Sequence, residues 1–285
     1  MLRKLGVLLE MIQFKHTVFA MPFGLMGAFL AAGGVPEARV LLWVLLAMVG
    51  ARTCAMGFNR IVDRRFDAVN PRTAGRALPA GLVKLGEAWT LVIGAGGVFF
   101  YACAQLNPLT LALSPLALGL TLVYSYTKRF TWLCHLVLGA ALALAPLGGW
   151  AAVQGILFGY PWALTLAVLC WVAGFDIVYA CLDADFDRQA GLFSLPSRFG
   201  RVRAFRLAAI LHLLALVGFL LTGLVCGLNL WYWIGLALVA MALISQHLLV
   251  KPEDLRRIQL AFLGMNGFIS LTLFAATWIA LATAA

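Results

Sequence analysis

Long runs of apolar residues, separated by short polar stretches, make up most of this chain. An apolar helix of about 20 residues crosses the hydrocarbon core of a bilayer, where helices satisfy their own backbone hydrogen bonds. The pattern therefore predicts an all-α, polytopic membrane bundle of about nine transmembrane helices, in which residues 1–285 form a single domain. The predicted spans are 17–35, 38–58, 88–106, 108–127, 132–154, 161–181, 204–227, 230–250 and 259–284.

Basic residues collect at one side of this predicted bundle. Of the 21 Lys and Arg residues, all but Arg39 and Arg52 lie in residues 1–16 or in and beside the connections after the second, fourth, sixth and eighth spans. Cytoplasmic loops carry such an excess of positive charge. We therefore expect a multi-pass protein of the cell (inner) membrane, with its N-terminus and the connections 59–87 and 182–203 in the cytoplasm.

The composition supports the membrane assignment and narrows the function. Hydrophobic residues make up 64% of the chain and charged residues 11%, against roughly 45–50% apolar residues in ordinary globular domains. The net charge of +10 follows largely from the basic connections, so lipid is the expected neighbour and a nucleic-acid partner is not expected. Glu10 and Lys15 interrupt the first apolar stretch, so we expect no cleaved signal peptide.

Carboxylates are scarce in the chain, yet they form two short clusters at the ends of apolar runs. Eleven Asp and Glu residues are present in all. Residues about four, seven or eight positions apart lie on one face of a helix, so each cluster is expected to present an acidic face at the same membrane surface. The clusters are Asn59, Asp63 and Asp67, and Asp176, Asp183, Asp185 and Asp187, of which Asp185 is expected to point away as a solvated or salt-bridged residue.

The oxygen atoms of these two clusters suit Mg²⁺. This ion takes one or two carboxylates and completes its octahedron with water and phosphate oxygens. Two facing carboxylate pairs would hold two metal ions around one diphosphate, whereas the alternative for the first cluster is a helix end whose Asp residues pair with neighbouring arginines. The predicted metal ligands are Asn59, Asp63, Asp67, Asp183 and Asp187.

Two charged residues lie inside predicted spans. A charge near the middle of a membrane helix costs about 2.5–3.5 kcal/mol on insertion scales, so it should face an internal cavity. Asp176 and, one turn on, Tyr179 would then contact an organic acceptor below the metal site, unless a structural hydrogen bond holds Asp176. Arg52 shares the helical face of Asn59 and would bind a phosphate or carboxylate, or form an ion pair with Asp176.

A basic pair follows the aromatic string Tyr124-Ser-Tyr126. Lys128 and Arg129 place two cations where the fourth and fifth spans meet the cytoplasm. They would bind the phosphates of a substrate at the acidic faces, or anchor the protein to anionic lipid.

Three motifs carry most of this chemistry. They are Asn59-Arg-x-x-Asp63-x-x-x-Asp67-x-x-Asn-Pro-Arg72-Thr-x-x-Arg76-x-x-Pro79-x-Gly81, Tyr124-Ser-Tyr-Thr-Lys128-Arg129-Phe-Thr131, and Asp176-x-x-Tyr179-x-x-x-Asp183-x-x-x-Asp187 followed by Gly191. In this order they resemble the UbiA superfamily of intramembrane prenyltransferases, and the resemblance extends from near Phe14 to the final helix. Two acidic motifs with the basic motif between them are a specific signal.

The resemblance implies a UbiA-like fold and Mg²⁺-dependent transfer of a polyprenyl chain, from polyprenyl diphosphate to a ring carbon of an aromatic acid, in respiratory quinone biosynthesis. It implies that the predicted metal ligands bind the Mg²⁺-diphosphate. The predicted catalytic set is Asp63, Asp67, Asp183, Asp187, Lys128 and Arg129, and the predicted substrate-binding residues are Asn59, Arg52, Arg60, Arg72, Asp176 and Tyr179.

The resemblance also bears on the acceptor. Arg52, Asn70-Pro-Arg-Thr and the string from Asp183 to Ser194 resemble bacterial 4-hydroxybenzoate polyprenyltransferases and the similar enzyme of the futalosine menaquinone route, which acts on a dihydroxynaphthoate. His135 departs from the Gln that often follows the Lys-Arg motif in the 4-hydroxybenzoate enzymes. The expected acceptor is 4-hydroxybenzoate, and 1,4-dihydroxy-6-naphthoate is the alternative.

Two other classes of membrane protein compete with this interpretation. A cation-coupled secondary transporter would place its site near the midplane, at Asp176 and Arg52, but most of the clustered carboxylates lie at one interface, which favours the enzyme. A CDP-alcohol transferase also uses a membrane di-metal site, but its D-G-x-x-A-R…G-x-x-x-D-x-x-x-D signature is absent from the chain.

Overall fold

The computed structural model describes residues 2–12, 17–259 and 264–284, and the named regular elements in those ranges are all helices. The predicted all-α fold is therefore confirmed. The helices are α1 (Leu2–Met11), α2 (Thr17–Ala32), α3 (Ala38–Val69), α4 (Leu85–Leu106), α5 (Pro108–Thr127), α6 (Cys134–Gln154), α7 (Trp162–Ala180), α8 (Ala184–Gln189), α9 (Leu195–Phe199), α10 (Arg201–Val225), α11 (Leu230–Leu249) and α12 (Asn266–Ala282).

Seven helices in the described ranges are long and apolar enough to cross a membrane, namely α3 to α7, α10 and α11. The predicted first and last spans correspond to shorter apolar helices, Met21–Ala32 and Asn266–Ala282. Residues 13–16, which include Lys15 and the start of the family resemblance, lie outside the described residues, as do residues 260–263 of the last predicted span. The count of nine spans and the cytoplasmic N-terminus stay predictions.

The outer surface of the bundle is apolar. Large aliphatic side chains stand exposed along several helices; Leu116 is 70% exposed and Leu248 is 71% exposed. A surface of this kind matches the lipid tails of a bilayer, which are as apolar as leucine itself. The long apolar helices and this exposed surface together describe a multi-pass membrane protein.

The first acidic cluster lies on an uninterrupted helix. α3 has 32 residues and continues to Val69, well beyond the predicted end of the span at residue 58. Asn59, Asp63 and Asp67 therefore occupy successive turns of one helix, as their spacing predicts. Since about 20 residues already cross a bilayer, the last turns of α3 bring these polar side chains to one end of the bundle.

The second acidic cluster is divided by a break in the helix. α7 ends where the Asp183 N–H donates to the Ala180 carbonyl three residues back, at 3.1 Å, a bond that tightens and closes a last helical turn. The expectation that Asp176, Asp183 and Asp187 share one helical face is therefore wrong. The latter two remain one turn apart, because the Asp187 N–H donates to the Asp183 carbonyl at 2.7 Å.

α7 is the most buried of the long apolar helices in the described residues, and it packs against both α6 and α10. Its Trp171 is 1% exposed and contacts Phe23 of α2, with 5.1 Å between the ring centroids. Phe23 in turn stacks on Phe219 of α10 at 5.7 Å. Buried aromatic rings contribute large apolar contact areas, so α7 has a fixed place from which it presents Asp176 and Tyr179.

α2 and α6 approach each other so closely that their backbones touch. A Cβ atom added at Gly27 of α2 would lie 2.0 Å from the carbonyl oxygen of Pro146, and one added at Gly149 of α6 would lie 2.0 Å from that of Gly24. A larger residue would have to displace backbone atoms at either position. Small residues at helix crossings of this kind are how membrane helices gain van der Waals contact.

The orientation of the bundle gives the first testable prediction. In a cysteine-free variant, a cysteine replacing Ala74, which is exposed between α3 and α4, should react with an impermeant thiol reagent only when the cytoplasmic side is accessible, because this connection is basic. A cysteine replacing Phe158, 89% exposed after the other end of α6, is the control and should react from outside. Labelling of position 74 from outside in intact cells would show that the bundle is inverted.

Candidate active site

One continuous cavity of about 450 Å³ lies between α3, α4, α5, α6 and α7. It follows α3 from Asp67 to Val44, a distance of about 35 Å at 1.5 Å per residue. Charged and amide side chains line the end near Asp67, and mostly apolar side chains line the rest. The polar end, called the polar mouth below, consists of Asn59, Asp63, Asp67, Asn70, Arg72, Arg76, Lys128, Arg129, Asp183 and Asp187.

Small residues form much of the wall of the remaining part, called the apolar tunnel below. Ala47, Ala51 and Ala55 repeat every four residues along α3 and so share one face. α6 contributes Ala141 and Ala145. Small side chains leave a narrow passage between packed helices, which fits a slender apolar chain. Larger side chains line the end remote from the polar mouth, among them Phe99, Leu106 and Leu113.

Each Asp of the polar mouth faces a different basic side chain. A buried carboxylate needs a cation or hydrogen-bond donors, and these pairs supply them. The partners come from different elements, so the pairs connect α3, the segment that follows it, the end of α5 and the start of α8. The pairs are Arg76 Nη1 with Asp67 Oδ1 (2.6 Å), Lys128 Nζ with Asp187 Oδ2 (3.2 Å), Arg129 Nη2 with Asp63 Oδ1 (3.5 Å), and Arg72 with Asp183.

Arg72 forks onto Asp183. Its Nε donates to Oδ1 at 2.8 Å and its Nη2 to Oδ2, while Asn70 Nδ2 donates to Oδ1 at 3.1 Å. Burial alone would raise the pKa of Asp183, but the hydrogen bonds from Arg72 and Asn70 hold that pKa below its ordinary value. Asp183 is therefore ionised at neutral pH, and it ties the segment after α3 to the start of α8.

Lys128 and Arg129 follow the last turn of α5 and turn into the polar mouth. Burial alone would lower the pKa of Lys128, but the charge of Asp187 raises it, so the ammonium keeps its proton at neutral pH. Arg129 lies over the rings of Phe66 and Tyr126, with its guanidinium carbon 5.3 and 5.1 Å from their centroids. These contacts hold both cations at the site and do not favour their alternative role as lipid anchors.

The first cluster retains coordination capacity for a cation. Asp67 is 6% exposed, and its Oδ2 is a buried atom without a hydrogen-bond partner. Asn59 Nδ2 donates to Asp63 Oδ2 at 2.8 Å, which keeps these two side chains together. Among the described residues, no three His, Cys, Asp or Glu side chains converge on a preformed metal cage. The donor set instead fits Mg²⁺, which keeps water and phosphate oxygens as its other ligands.

Arg60 is buried between α1 and the polar mouth. Its Nε donates to the Met11 carbonyl oxygen at 3.2 Å, and its Nη1 reaches Asn59 Oδ1 at 3.5 Å. The side chain is 6% exposed and lines the cavity. Arg60 thus connects the end of α1 with a predicted metal ligand.

The three deeper residues singled out by the sequence, Arg52, Asp176 and Tyr179, all line the same cavity. The structural hydrogen bond considered for Asp176 is present, because its Oδ2 lies 2.6 Å from His135 Nδ1. Arg72 Nη1 donates to the Tyr179 hydroxyl at 3.5 Å. The polar mouth is therefore continuous with this deeper level, since Arg72 contacts both Asp183 and Tyr179.

Asp185 behaves as its position off the acidic face predicts. Its side chain is 66% exposed and pairs with Arg188 at 3.5 Å and Arg201 at 2.8 Å. These are weak surface ion pairs, and Asp185 does not line the cavity.

Some residues of the site were not assigned a role from the sequence. Asn70 and Arg76 belong to the first motif. Their place in that motif, just after the acidic residues of α3, is the sequence feature that could have identified them as site residues. Tyr124 lines the cavity from the end of α5 and belongs to the aromatic string before the basic pair. His135 departs from the family pattern, but its partner Asp176 lies 41 positions away in sequence, so no local spacing indicates their contact.

Comparisons with known proteins identify the family of this chain. The profile of the UbiA prenyltransferase family matches residues 20–283. A protein of Shewanella woodyi named 4-hydroxybenzoate octaprenyltransferase is 34% identical over 253 residues, which cover 88% of this chain and 87% of that protein. The apo structure of a UbiA homologue from Aeropyrum pernix K1 has a TM-score of 0.85 and 34% identity, over 93% of this chain and 97% of that one.

A more distant structure shares the same architecture. A UbiA homologue from Archaeoglobus fulgidus, solved bound to GPP and Mg²⁺, has a TM-score of 0.74 at 20% identity, over 97% of this chain and 100% of that one. At that identity the likeness concerns the fold. The profile match and the long alignments at more than 30% identity show the family directly: this chain belongs to the UbiA prenyltransferase family.

Proposed function

We propose that this prenyltransferase transfers a polyprenyl chain from polyprenyl diphosphate to a ring carbon of 4-hydroxybenzoate. The observation that carries the proposal is the single cavity that joins the polar mouth to the apolar tunnel. A diphosphate with a long hydrocarbon tail has the same division between a charged end and an apolar end. The acceptor follows from the relatives named 4-hydroxybenzoate octaprenyltransferase.

The cations of the polar mouth would bind the diphosphate. Arg72, Arg76, Lys128 and Arg129 come from two connections and converge on one end of the cavity. Arginine offers a planar fork that matches phosphate oxygens, and lysine adds a compact charge. These cations would favour cleavage of the bond to the prenyl carbon, because fixed positive charge stabilises the departing diphosphate.

Asn59, Asp63, Asp67, Asp183 and Asp187 would hold Mg²⁺ together with the diphosphate. The unpartnered Oδ2 of Asp67 supports this assignment, as does the Mg²⁺ bound with GPP in the A. fulgidus homologue. When bound, the metal supplies positive charge that stabilises the leaving diphosphate.

The acceptor would lie at the level of Arg52, Asp176 and Tyr179, below the polar mouth. A buried guanidinium binds a carboxylate well, which suits the acid group of 4-hydroxybenzoate. Asp176 would accept a hydrogen bond from the ring hydroxyl and so make the ring more electron-rich. The ring carbon would then bond to the allylic carbon as the bond from that carbon to the diphosphate breaks, and the ring carbon would lose its proton to the released diphosphate. Positioning would be the main contribution of the residues.

The walls of the cavity would protect the reaction from water. Water would otherwise capture an allylic cation, and the apolar tunnel offers it no polar partners. We place the polar mouth at the cytoplasmic face of the inner membrane, because the basic connections adjoin it.

The naphthoate acceptor and the transporter have no comparable support, since the similar proteins are named for 4-hydroxybenzoate.

The acceptor is tested directly in membranes that contain the protein. With one polyprenyl diphosphate and Mg²⁺, 4-hydroxybenzoate should be prenylated and 1,4-dihydroxy-6-naphthoate should not, as measured by chromatography and mass spectrometry of the lipid extract. Membranes without the protein are the control. Prenylation of the naphthoate alone would reject the proposed acceptor and keep the reaction class.

The metal assignment predicts a large loss of catalytic activity when a single carboxylate is replaced by an amide. Asp63→Asn and Asp187→Asn should each lower kcat/KM by about 100-fold or more, since loss of one charge-stabilising group commonly has that effect, and excess chelator should abolish turnover by the unmodified enzyme. Asp185→Asn is the matched control and should stay within about twofold, because surface ion pairs contribute little. Full turnover by both site variants would remove these carboxylates from the mechanism.

The apolar tunnel predicts a dependence on donor length. Ala145 lies eleven residues into α6, about 16 Å from its start, so Ala145→Phe should block the tail of a long donor and spare a short one. We expect kcat/KM to fall about tenfold or more for an octaprenyl donor, the effect of roughly 1.4 kcal/mol of overpacking, with little change for a geranyl donor. Leu116→Phe, at a lipid-facing position, should alter neither. Equal losses for both donors would place the tail elsewhere.

A further inference from the structure

His135 lies next to the cavity but not in its wall. It is the second residue of α6, and its side chain is 1% exposed. Asp176, by contrast, lines the cavity and keeps 18% of its side-chain surface exposed. A buried histidine beside a partly exposed carboxylate can act on the cavity through that carboxylate.

The hydrogen bonds of His135 fix which ring nitrogen carries the proton. The backbone N–H of Leu195 donates to His135 Nε2 at 3.3 Å, so Nε2 is an acceptor and has no proton. A neutral imidazole then carries its proton on Nδ1, which lies 2.6 Å from Asp176 Oδ2. The chain of donors therefore runs from Leu195 to His135 and from His135 to Asp176.

The first member of this chain belongs to the segment that carries the second acidic pair. Leu195 is the first residue of α9, whose N-terminal amides need partners outside the helix. Two residues earlier, the Phe193 N–H donates to the Lys128 carbonyl at 2.7 Å. Residues 193–195 are thus hydrogen-bonded both to the backbone of Lys128 and to the His135 ring. They lie shortly after α8, the helix that contains Asp187.

We propose that His135 is a positioning residue that holds the Asp176 carboxylate toward the acceptor, with its orientation set by the Leu195 N–H. The donor bond from Nδ1 occupies Oδ2 of Asp176 and leaves the other oxygen for the cavity. The same imidazole connects the acceptor level with the segment of the second acidic pair. The inference rests on the proposed function, because it assumes that the acceptor binds beside Asp176.

Amide chemistry supplies a conservative replacement. A Gln side chain carries one donor group and one acceptor group, so His135→Gln can donate to Asp176 and accept from Leu195. His135→Leu has similar bulk and offers neither. His247→Leu is the matched control, because it removes the partly buried hydrogen bond between His247 Nε2 and His212 Nδ1, which is 2.8 Å long and lies outside the cavity wall.

The kinetic test separates acceptor effects from donor effects. We expect His135→Leu to lower kcat/KM for 4-hydroxybenzoate by about tenfold or more, the effect of one lost hydrogen bond to a charged group, while the KM of the donor stays within about twofold. His135→Gln should recover activity to within about threefold, and His247→Leu should leave the acceptor kinetics unchanged. Equal impairment by the Gln and Leu replacements, or none by either, would overturn the proposal.

A double-mutant cycle tests whether His135 acts through Asp176. In the Asp176→Asn background, adding His135→Leu should cause little further loss, because residues in one hydrogen-bonded unit are not additive. Losses that multiply would show that His135 acts by another route and would overturn the proposal.

A measurement without turnover keeps the inference separate from the proposed function. In ¹⁵N-histidine-labelled protein, the His135 signals, assigned by their loss in His135→Gln, should show a neutral ring with its proton on Nδ1, and Asp176→Asn should shift them. A proton on Nε2 would overturn the proposal even if the enzyme is active. Failure of the unmodified enzyme to prenylate 4-hydroxybenzoate, with the expected nitrogen signals present, would instead reject the acceptor and leave the hydrogen-bonded arrangement standing.

Discussion

A charge inside an apolar helix bundle must have a partner, and the site of this protein is organised by that constraint. Burial of an unpaired carboxylate or guanidinium is strongly unfavourable, and lipid offers no water to relieve it. The four carboxylates of the polar mouth accordingly pair with cations from other elements. Those ion pairs connect the C-terminal ends of α3 and α5 with the start of α8. The same interactions that offset the cost of burying the charges therefore also bring the site residues together.

The same constraint separates the two halves of the cavity. Charged groups that can find partners gather where the helices end and the connections supply arginine and lysine. Away from those ends, α3 and α6 offer alanine and glycine to the cavity. In the proposed function, a substrate with one charged end and one apolar tail would therefore bind in a single direction, with its reactive bond at the level where the two halves meet.

Much of this arrangement follows from the sequence, and the exceptions have physical reasons. The spacing of Asn59, Asp63 and Asp67 predicts their common face because the helical period acts locally. The break between Asp176 and Asp183 is not predictable in that way, since it depends on how the last turn of α7 closes. The ion pairs and the contact of His135 with Asp176 join residues from separate elements, and only the packed bundle brings them together. Seven of the predicted membrane crossings correspond to long apolar helices of the described residues, because hydropathy reports such helices directly.

The contact between Gly27 and Pro146, and that between Gly149 and Gly24, have a consequence for how the enzyme can adapt to its substrate. Side chains change rotamer readily, but touching backbones have no rotamers to change. The backbones of α2 and α6 are therefore held at a fixed separation where they cross. Adjustment to tails of different length or curvature then falls to the flexible side chains that line the tunnel, such as Phe99 of α4, Leu113 of α5 and Leu142 of α6, and does not require the helices to move apart.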